Sequence, residues 1–421
     1  MRPRRRLHIT LLTQGSRGDV QPYIGLGAAL KASGCEVTLA VPDAFVDLVE
    51  KATLRAFPVA PDPRLVSAEA GQPRWLEPGV LRSALRLKSR AGKSAGLMAT
   101  YSGYLAASEK ADLVLYPAWA APVAQAIGKA LGMPTLAAYL APIHPTHAFP
   151  SPFLPGLGFL GNRLSHVLAL ILMGAALQGI PGRWGRKVLE VDRIPTRFVP
   201  RPGQVCLYGY SRSLLPEPGD WPEGTMVTGP WWMERPRSWT PPPELVRFLD
   251  RDGPVVLLGF GSMKDPHPRQ LNAIVMDALS RAGCRAILIS GPEGQLDLGR
   301  SARWLSVKEI PLDWILPHVD AVVHHAGAGT TAEAARAGIP SVTVPYFGDQ
   351  LFWAQRLHLA GAAPSPVKRR SLTAGRLARA LAQSLENPQM RTNAAALGQR
   401  VRAEDGLAAA VRVVQESGLS R

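Results

Sequence analysis

The sequence predicts an α/β protein built as two doubly wound parallel-sheet domains facing each other across a cleft. Three observations carry that expectation. Short β-rich apolar runs alternate with helix-like stretches, the pattern of a parallel sheet covered on both faces. The alternation stops in a segment rich in proline, tryptophan and charge, residues 214–239, and then begins again. The 421 residues exceed one ordinary core and suit two domains of about 200 each.

In the first half, residues 7–12 read as a buried strand and 22–32 as a helix that Gly34 stops. Strands follow at 36–41 and 111–116, then a helix at 122–131 and a strand at 135–140. After the interruption, 255–260 is a strand, 270–282 a helix and 285–290 a strand. Residues 321–325 form the next strand, 331–337 a helix and 341–345 a strand. Helical segments run to the end, broken at Asn387-Pro388 and Asp405-Gly406. The implied domains are 1–230 and 240–404, joined by 231–239, with 405–421 a terminal helix packing back on the first domain.

Composition narrows the class. Apolar residues make up 46% and charged residues 19%, a globular balance without a disordered block. The formal net charge of +16 could attract anionic lipid, nucleic acid or phosphorylated ligands; solubility and an arginine-rich genome are the bland alternative. No basic run is interleaved with aromatics, so nucleic acid is not expected. The start, MRPRRR, resembles a signal-peptide n-region, but the apolar run behind it is short and meets Gln14-Gly15-Ser16-Arg17 with no small-residue cleavage site. It reads as a basic tail on a buried strand. Cys35, Cys206 and Cys284 form no CxxC pair, which fits a reducing cytosol. The most apolar stretch, 167–177, has about half the ~20 residues a membrane span needs; it reads as a core helix, with a membrane-touching helix as the alternative. The expected location is cytoplasmic, with peripheral contact at an anionic inner membrane face.

The most informative segment is HHAGAGTTAEA, His324 to Ala334. Ligands in open parallel sheets sit beyond the carboxyl ends of strands, where His324-His325 falls. Gly327 and Gly329 let backbone approach a ligand closely. Thr330 and Glu333 have capping-box spacing, and Gly338 is placed as the helix stop, with Pro340 beyond. A helix start carries free N–H groups and partial positive charge, so it binds phosphate, and His325 and Thr330 can add hydrogen bonds to the same anion. The bland alternative is an ordinary strand–turn–helix join. The next strand ends in PYFGDQ, and Asp349-Gln350 offers a carboxylate and an amide suited to neighbouring sugar hydroxyls; a helix cap is the alternative. Gly261-Ser262, after another strand, forms a third small turn able to meet phosphate, or a plain loop.

HHAGAGTTAEAARAGIPSVTVPYFGDQLFWAQR resembles the donor-binding signature of the UDP-glycosyltransferases, within them the sterol glucosyltransferase and antibiotic glycosyltransferase branch. The similarity continues in GSRGDVQPYIGLGAAL and PIHPTHAFPSP and covers essentially the whole chain. It implies the GT-B fold, two facing Rossmann-like domains, with nucleotide sugar on the carboxyl-terminal one and acceptor on the other. It implies that His325, Gly329 and Thr330 contact the diphosphate, Glu333 the ribose, and Asp349 and Gln350 the sugar, while main-chain atoms at Ile310 meet the base. The tryptophan that stacks on uracil in the plant enzymes has no match here, which leaves uridine and thymidine both open.

Expelling a diphosphate calls for charge stabilisation, which a helix terminus and His325 can supply. No HxxxH pair or clustered Asp/Glu/His site stands out, so neither an essential metal nor a cofactor is expected, the UDP-sugar being a co-substrate. An acceptor hydroxyl wants a general base. Asp19, in Gly18-Asp19-Val20-Gln21, is the candidate, by match to the aspartate of that branch; capping the first helix is its alternative duty. A single displacement would invert the anomeric carbon. The aromatic, proline-rich residues 136–159, with Trp75, Tyr101, Tyr104 and the helix at 168–173, point to a lipophilic acceptor such as a sterol, carotenoid, lipid or polyketide; the alternative for any single aromatic is core packing. His144 and His147 are loop residues that could orient it. Two rivals remain: a non-catalytic nucleotide-sugar binder, and an NAD-dependent oxidoreductase, against which the first turn lacks GxGxxG and would set Asp19 against a pyrophosphate.

Overall fold

The computed structural model describes residues 6–59, 95–177, 179–195, 197–290, 296, 298 and 301–419. Residues 1–5 of the basic start, and Trp75, lie outside them. The chain forms two compact units: Met1–Tyr210, Glu217–Met233 and Asp405–Arg421 make the first, Ser211–Pro216 and Glu234–Glu404 the second.

The first unit holds a parallel sheet of seven strands, β1 (His8–Leu12), β2 (Glu36–Pro42), β3 (Arg55–Val59), β4 (Leu113–Tyr116), β5 (Thr135–Tyr139), β6 (Cys206–Tyr208) and β7 (Thr225–Val227). Their order is β3-β2-β1-β4-β5-β6-β7. The order therefore reverses beside β1, which makes the carboxyl end of β1 the place where a ligand crevice opens. Helix α1 (Arg17–Ala32) starts there. Its Val20, Tyr23, Ile24 and Leu30 pack on Ile9, Leu11, Leu39 and Leu115, all essentially fully buried. Burying each large aliphatic side chain contributes about 1.5–3 kcal/mol before entropy is counted. The terminal helix Gly406–Leu419 joins the same core through Ala410 and Val414.

The second unit holds five parallel strands, β8 (Val255–Gly259), β9 (Arg285–Ile289), β10 (Trp304–Val307), β11 (Ala321–His324) and β12 (Ser341–Thr343), in the order β10-β9-β8-β11-β12. Here the reversal lies between β8 and β11. The two-residue period of a strand splits the sheet's side chains between two cores. Val256, Leu258, Val323 and Val342 face Val275 and Leu381, while Leu257, Ile287 and Val322 face Ile315 and Ala334.

Several expectations need correction. Helix α1 begins at Arg17 rather than Pro22, because Ser16 caps it, and Pro22 sits inside it at the loss of one backbone hydrogen bond. The proline- and tryptophan-rich interruption contains β7, and Trp231 is 2% exposed with its Nε1–H donating to Thr228 Oγ1 at 2.9 Å. Those residues are core of the first unit. Strands β3, β6, β7 and β10 were not expected; each is short and lacks clear alternation. The apolar stretch lies in the helix Asn162–Leu177, which buries Ala169 and Met173 but exposes Leu164, Val167 and Ile171. The core reading thus holds for one face only. Among the described residues no single helix is long and apolar enough to cross a membrane. All three cysteines are free thiols and buried.

Candidate active site

β11 stops at His324, one residue short of the expected end. In register, His324 pairs with Gly259 of β8 on one side and Thr343 of β12 on the other. The segments that leave all three strands therefore emerge at one sheet edge. After β11 the chain turns through Ala326, whose φ of 62° lies in the left-handed region although it carries a Cβ. The turn feeds helix α2 (Ala328–Ala337), and the capping-box expectation fails here: Gly327 is the N-cap, so Thr330 and Glu333 lie inside the helix. Thr331 N–H returns to Gly327 O at 2.9 Å. The N–H groups of Ala328, Gly329 and Thr330 have no intrahelical acceptor and stand at the positive end of the helix. Gly338 ends α2 with φ 75°, the expected stop.

His325 explains two nearby glycines. A Cβ on Gly327 would fall 2.5 Å from its Nε2, and one on Gly261 2.9 Å from its Cε1. Only residues without side chains leave room for the imidazole. The ring is 8% exposed, and its Nδ1 is buried without a hydrogen-bond partner. Burial pushes its pKa down to about 4, so the imidazole is neutral near pH 7. A buried, unsatisfied ring nitrogen beside a helix start is suited to a polar ligand. Ser262, next to Gly261, is exposed.

Glu333 projects from α2 with its side chain 12% exposed, 3.8 Å from Arg336. Its Oε2 has no hydrogen-bond partner, and burial pushes its pKa up to about 7 against the smaller pull of Arg336. Ile310, between β10 and the helix Leu312–Ile315, buries its side chain in the core, which leaves only its main chain for a ligand.

The acid–amide pair separates. Asp349 is the N-cap position of helix α3 (Gln350–Leu359), and its Oδ2 accepts from Trp353 Nε1 at 2.8 Å. Gln350 is buried; its Oε1 accepts from the N–H groups of Tyr346 and Phe347, at 2.8 and 3.2 Å, and its Nε2 lies 3.2 Å from Met263 Sδ. Here Gln350 braces the turn that presents Asp349. A second brace had no motif to announce it. Arg369 donates from Nε and Nη2 to the two oxygens of Asp265, which also accepts from Tyr346 O–H at 3.1 Å and His267 N–H at 2.9 Å. Burial pushes Asp265 up, but the Arg369 and His267 hydrogen bonds outweigh it and hold the carboxyl below its usual range. That pair ties the segment after β8 to the segment after β12.

In the first unit, Asp19 is the third residue of α1, and its Oδ2 accepts from Ser16 N–H at 2.8 Å and Ser16 O–H at 2.9 Å. Capping geometry is therefore real, and a carboxylate already fills this helix start, where the dinucleotide reading would need a pyrophosphate. Gly15, at φ 111°, leaves room for it: a Cβ there would fall 2.5 Å from Asp19 Oδ2. The residue keeps contact with solvent, yet the protein crowded about its carboxyl raises the pKa, partly opposed by the two Ser16 bonds.

The expected acceptor aromatics divide as well. Tyr101 and Tyr104 are core residues, 1% and 0% exposed, and Tyr104 O–H donates to Thr13 O at 2.6 Å. His144, expected in a loop, is 2% exposed. Tyr208 Oη accepts from Ile143 N–H and His144 N–H and so turns its proton toward His144 Nδ1, at 2.7 Å. His147 is exposed.

Comparison with known proteins adds to this geometry. Residues 9–147 match the Glycosyltransferase family 28 N-terminal domain, and residues 285–414 the Erythromycin biosynthesis protein CIII-like, C-terminal domain. The chain is 35% identical to O-mycaminosyltylonolide 6-deoxyallosyltransferase of Streptomyces fradiae, over 97% of each. It is 32% identical to Sterol 3-beta-glucosyltransferase of Yarrowia lipolytica, over 98% of this chain but only 29% of the relative, so it spans under a third of that protein. Among solved structures, a calicheamicin glycosyltransferase superposes with a TM-score of 0.69 at 21% identity, over 99% of both chains. The glycosyltransferase VinC, solved with DTDP, gives 0.68 at 19%, over 98% of this chain and 99% of that one.

Proposed function

The chain belongs to the GT-B glycosyltransferases of the sterol and antibiotic branch, and from that premise we propose that it moves a hexose, glucose, from UDP-glucose to a hydroxyl of a lipophilic acceptor. The observation that carries the reading is the cradle at the start of α2: three free N–H groups in prospect, a neutral buried His325 with an unpartnered nitrogen, and glycines at 261 and 327 where side chains would block it. The diphosphate rests there, the ribose hydroxyls donate to the Glu333 carboxylate, and Asp349 takes the sugar hydroxyls. Gln350 joins Asp349 only by giving up its contact with Met263.

The acceptor oxygen attacks C1 as the bond from C1 to the phosphate oxygen breaks, and the electron pair leaves with the diphosphate. The helix start and the His325 N–H stabilise that charge. Asp19 takes the acceptor proton, and its raised pKa makes it a stronger base than an ordinary aspartate. One displacement inverts the anomeric centre, so an α-linked donor gives a β-glycoside. No metal is assigned a role: among the described residues no group of three or more His, Cys, Asp or Glu converges to hold one. The acceptor class rests on the named relatives, a sterol glucosyltransferase and an O-mycaminosyltylonolide deoxyallosyltransferase, and on the exposed apolar side chains of the helix Asn162–Leu177. The same side chains and the net positive charge support peripheral contact with an anionic membrane.

Mass spectrometry of the enzyme with UDP-glucose or TDP-glucose against sterols, carotenoids, hydroxylated lipids and polyketides tests the proposal. Transfer from UDP-glucose to one of these classes is expected. Transfer from TDP-sugars alone would overturn the base assignment, and donor binding without transfer to any acceptor would overturn catalysis.

A further inference from the structure

We propose that His324, which lies too deep to touch a ligand, is a positioning residue: its Nδ1 accepts the Ala326 N–H, holds Ala326 in its left-handed turn, and so fixes where His325, Gly327 and the start of α2 meet the diphosphate. The inference rests on the reading of that cradle as the diphosphate site.

The geometry begins with a conflict. An alanine at φ 62° is strained, because its Cβ crowds the carbonyl, and glycine would relieve the strain. Yet the turn must occur here, since Gly327 begins α2 on the very next residue. The compensating contact is local: Ala326 N–H donates to His324 Nδ1 at 3.2 Å, and both residues are 0% exposed. An Nδ1 that accepts leaves the ring proton on Nε2, and Nε2 is buried with no partner among the described residues. An apolar side chain would fill the same space without burying an unsatisfied N–H, which is destabilising. The imidazole is therefore retained for something that packing does not supply, and the acceptor at Nδ1 is the one bond it makes. Thr343, its register partner on β12, also buries a hydroxyl without a partner, so nothing on that side competes for the ring. Burial holds the ring neutral, with its pKa pushed down to about 3, and Nδ1 stays an acceptor across the ordinary pH range.

The test compares wild type, His324→Leu, His324→Asn, Ala326→Gly and the double variant His324→Leu/Ala326→Gly, by calorimetry with UDP and by thermal melting without it. Losing the acceptor in His324→Leu should raise the Kd for UDP about tenfold. His324→Asn, whose Oδ1 can take the same N–H, should stay near wild type. Glycine adopts the turn freely, so Ala326→Gly should restore most of the affinity and melting temperature lost in His324→Leu. Equal losses with and without the glycine would overturn the proposal. If wild type fails to bind UDP, the cradle reading falls while the melts still decide the role of His324. Should His324→Leu not fold, nitrogen-15 shifts of labelled histidine in the wild type decide: a proton on Nε2 supports the proposal, and one on Nδ1 overturns it.

Discussion

Asp19 caps the first helix, and the proposed function gives the same carboxylate a second duty as base; the two can be separated. Oδ2 serves Ser16 through two hydrogen bonds, which leaves the other oxygen for an acceptor proton. Asp19→Asn should keep the fold and the affinity for UDP while lowering kcat by two to four orders of magnitude, about the usual worth of a general base; single-turnover kinetics would show it. The pKa direction gives a second check. Asp19 must be ionised to act, and its pKa is raised, so kcat/KM should fall on the acid side above the ordinary aspartate range. Ser16→Ala removes one bond that lowers that pKa, and the acid limb should move to higher pH. In the second unit, Gly327→Ala places a methyl 2.5 Å from the His325 ring. It should weaken UDP binding by about 1.5–3 kcal/mol, the worth of a hydrogen bond to a charged group; calorimetry checks it. These roles were partly legible in the sequence. The glycines could be read as making room, but the side chain they make room for could not, because it stands two residues before Gly327 and follows a different strand from the one that precedes Gly261.

In the proposed reading helix α2 binds through its start, and its second turn carries the shifted carboxyl of Glu333. Glu333 has its folded pKa raised to about 7 from an ordinary 4.5 by burial. The folded state thus prefers the protonated acid: this contribution to stability is complete below pH 4.5 and is lost as pH rises through about 7. Glu333→Gln should therefore stabilise the empty enzyme at pH 8, by up to roughly 3 kcal/mol, with no gain at pH 4. Ribose hydroxyls donating to the carboxylate favour the ionised form. UDP binding should then release protons near pH 7 and weaken as pH falls, and calorimetry in buffers of different ionisation enthalpy would register it. The boundary of this helix also shows where sequence reasoning misleads. Thr330-x-x-Glu333 has the spacing of a capping box, yet the glycine at 327 starts the helix earlier because Ala326 has already turned the chain. The mismatch runs the same way at α1, where Pro22 draws the expected start away from the true cap, Ser16. Spacing identifies a possible cap; backbone dihedrals decide which one is used.

At the scale of the whole chain, the doubly wound plan and the places where the last helices break were readable, because long buried strands and capping residues announce themselves locally. Asn387, for instance, accepts from Met390 N–H at 3.2 Å as a cap should. What escaped were elements whose identity comes from distant partners. The three residues of β7 form a strand only because β6 lies beside them, and Trp231 is core only because Tyr23 meets it edge-on at 5.8 Å. The terminal helix is different: the sequence reading has it packing back on the first domain, and its Val414 is 0% exposed in the core of the first unit, far away in sequence. Val414→Asp should cost at least about 3 kcal/mol by burying an unpaired charge, and urea unfolding should register it as loss of the first unit. The three sequestered thiols turn such an experiment into a readout by unit. Cys35 and Cys206 belong to the first unit and Cys284 to the second, and burial raises the pKa of Cys206 well above the thiol range and that of Cys284 to about 11. Buried as they are, the three thiols meet an alkylating reagent only when a unit opens. Peptide mapping of labelled cysteine against time would then report which half of the chain opens first, using reporters the protein already carries in silence.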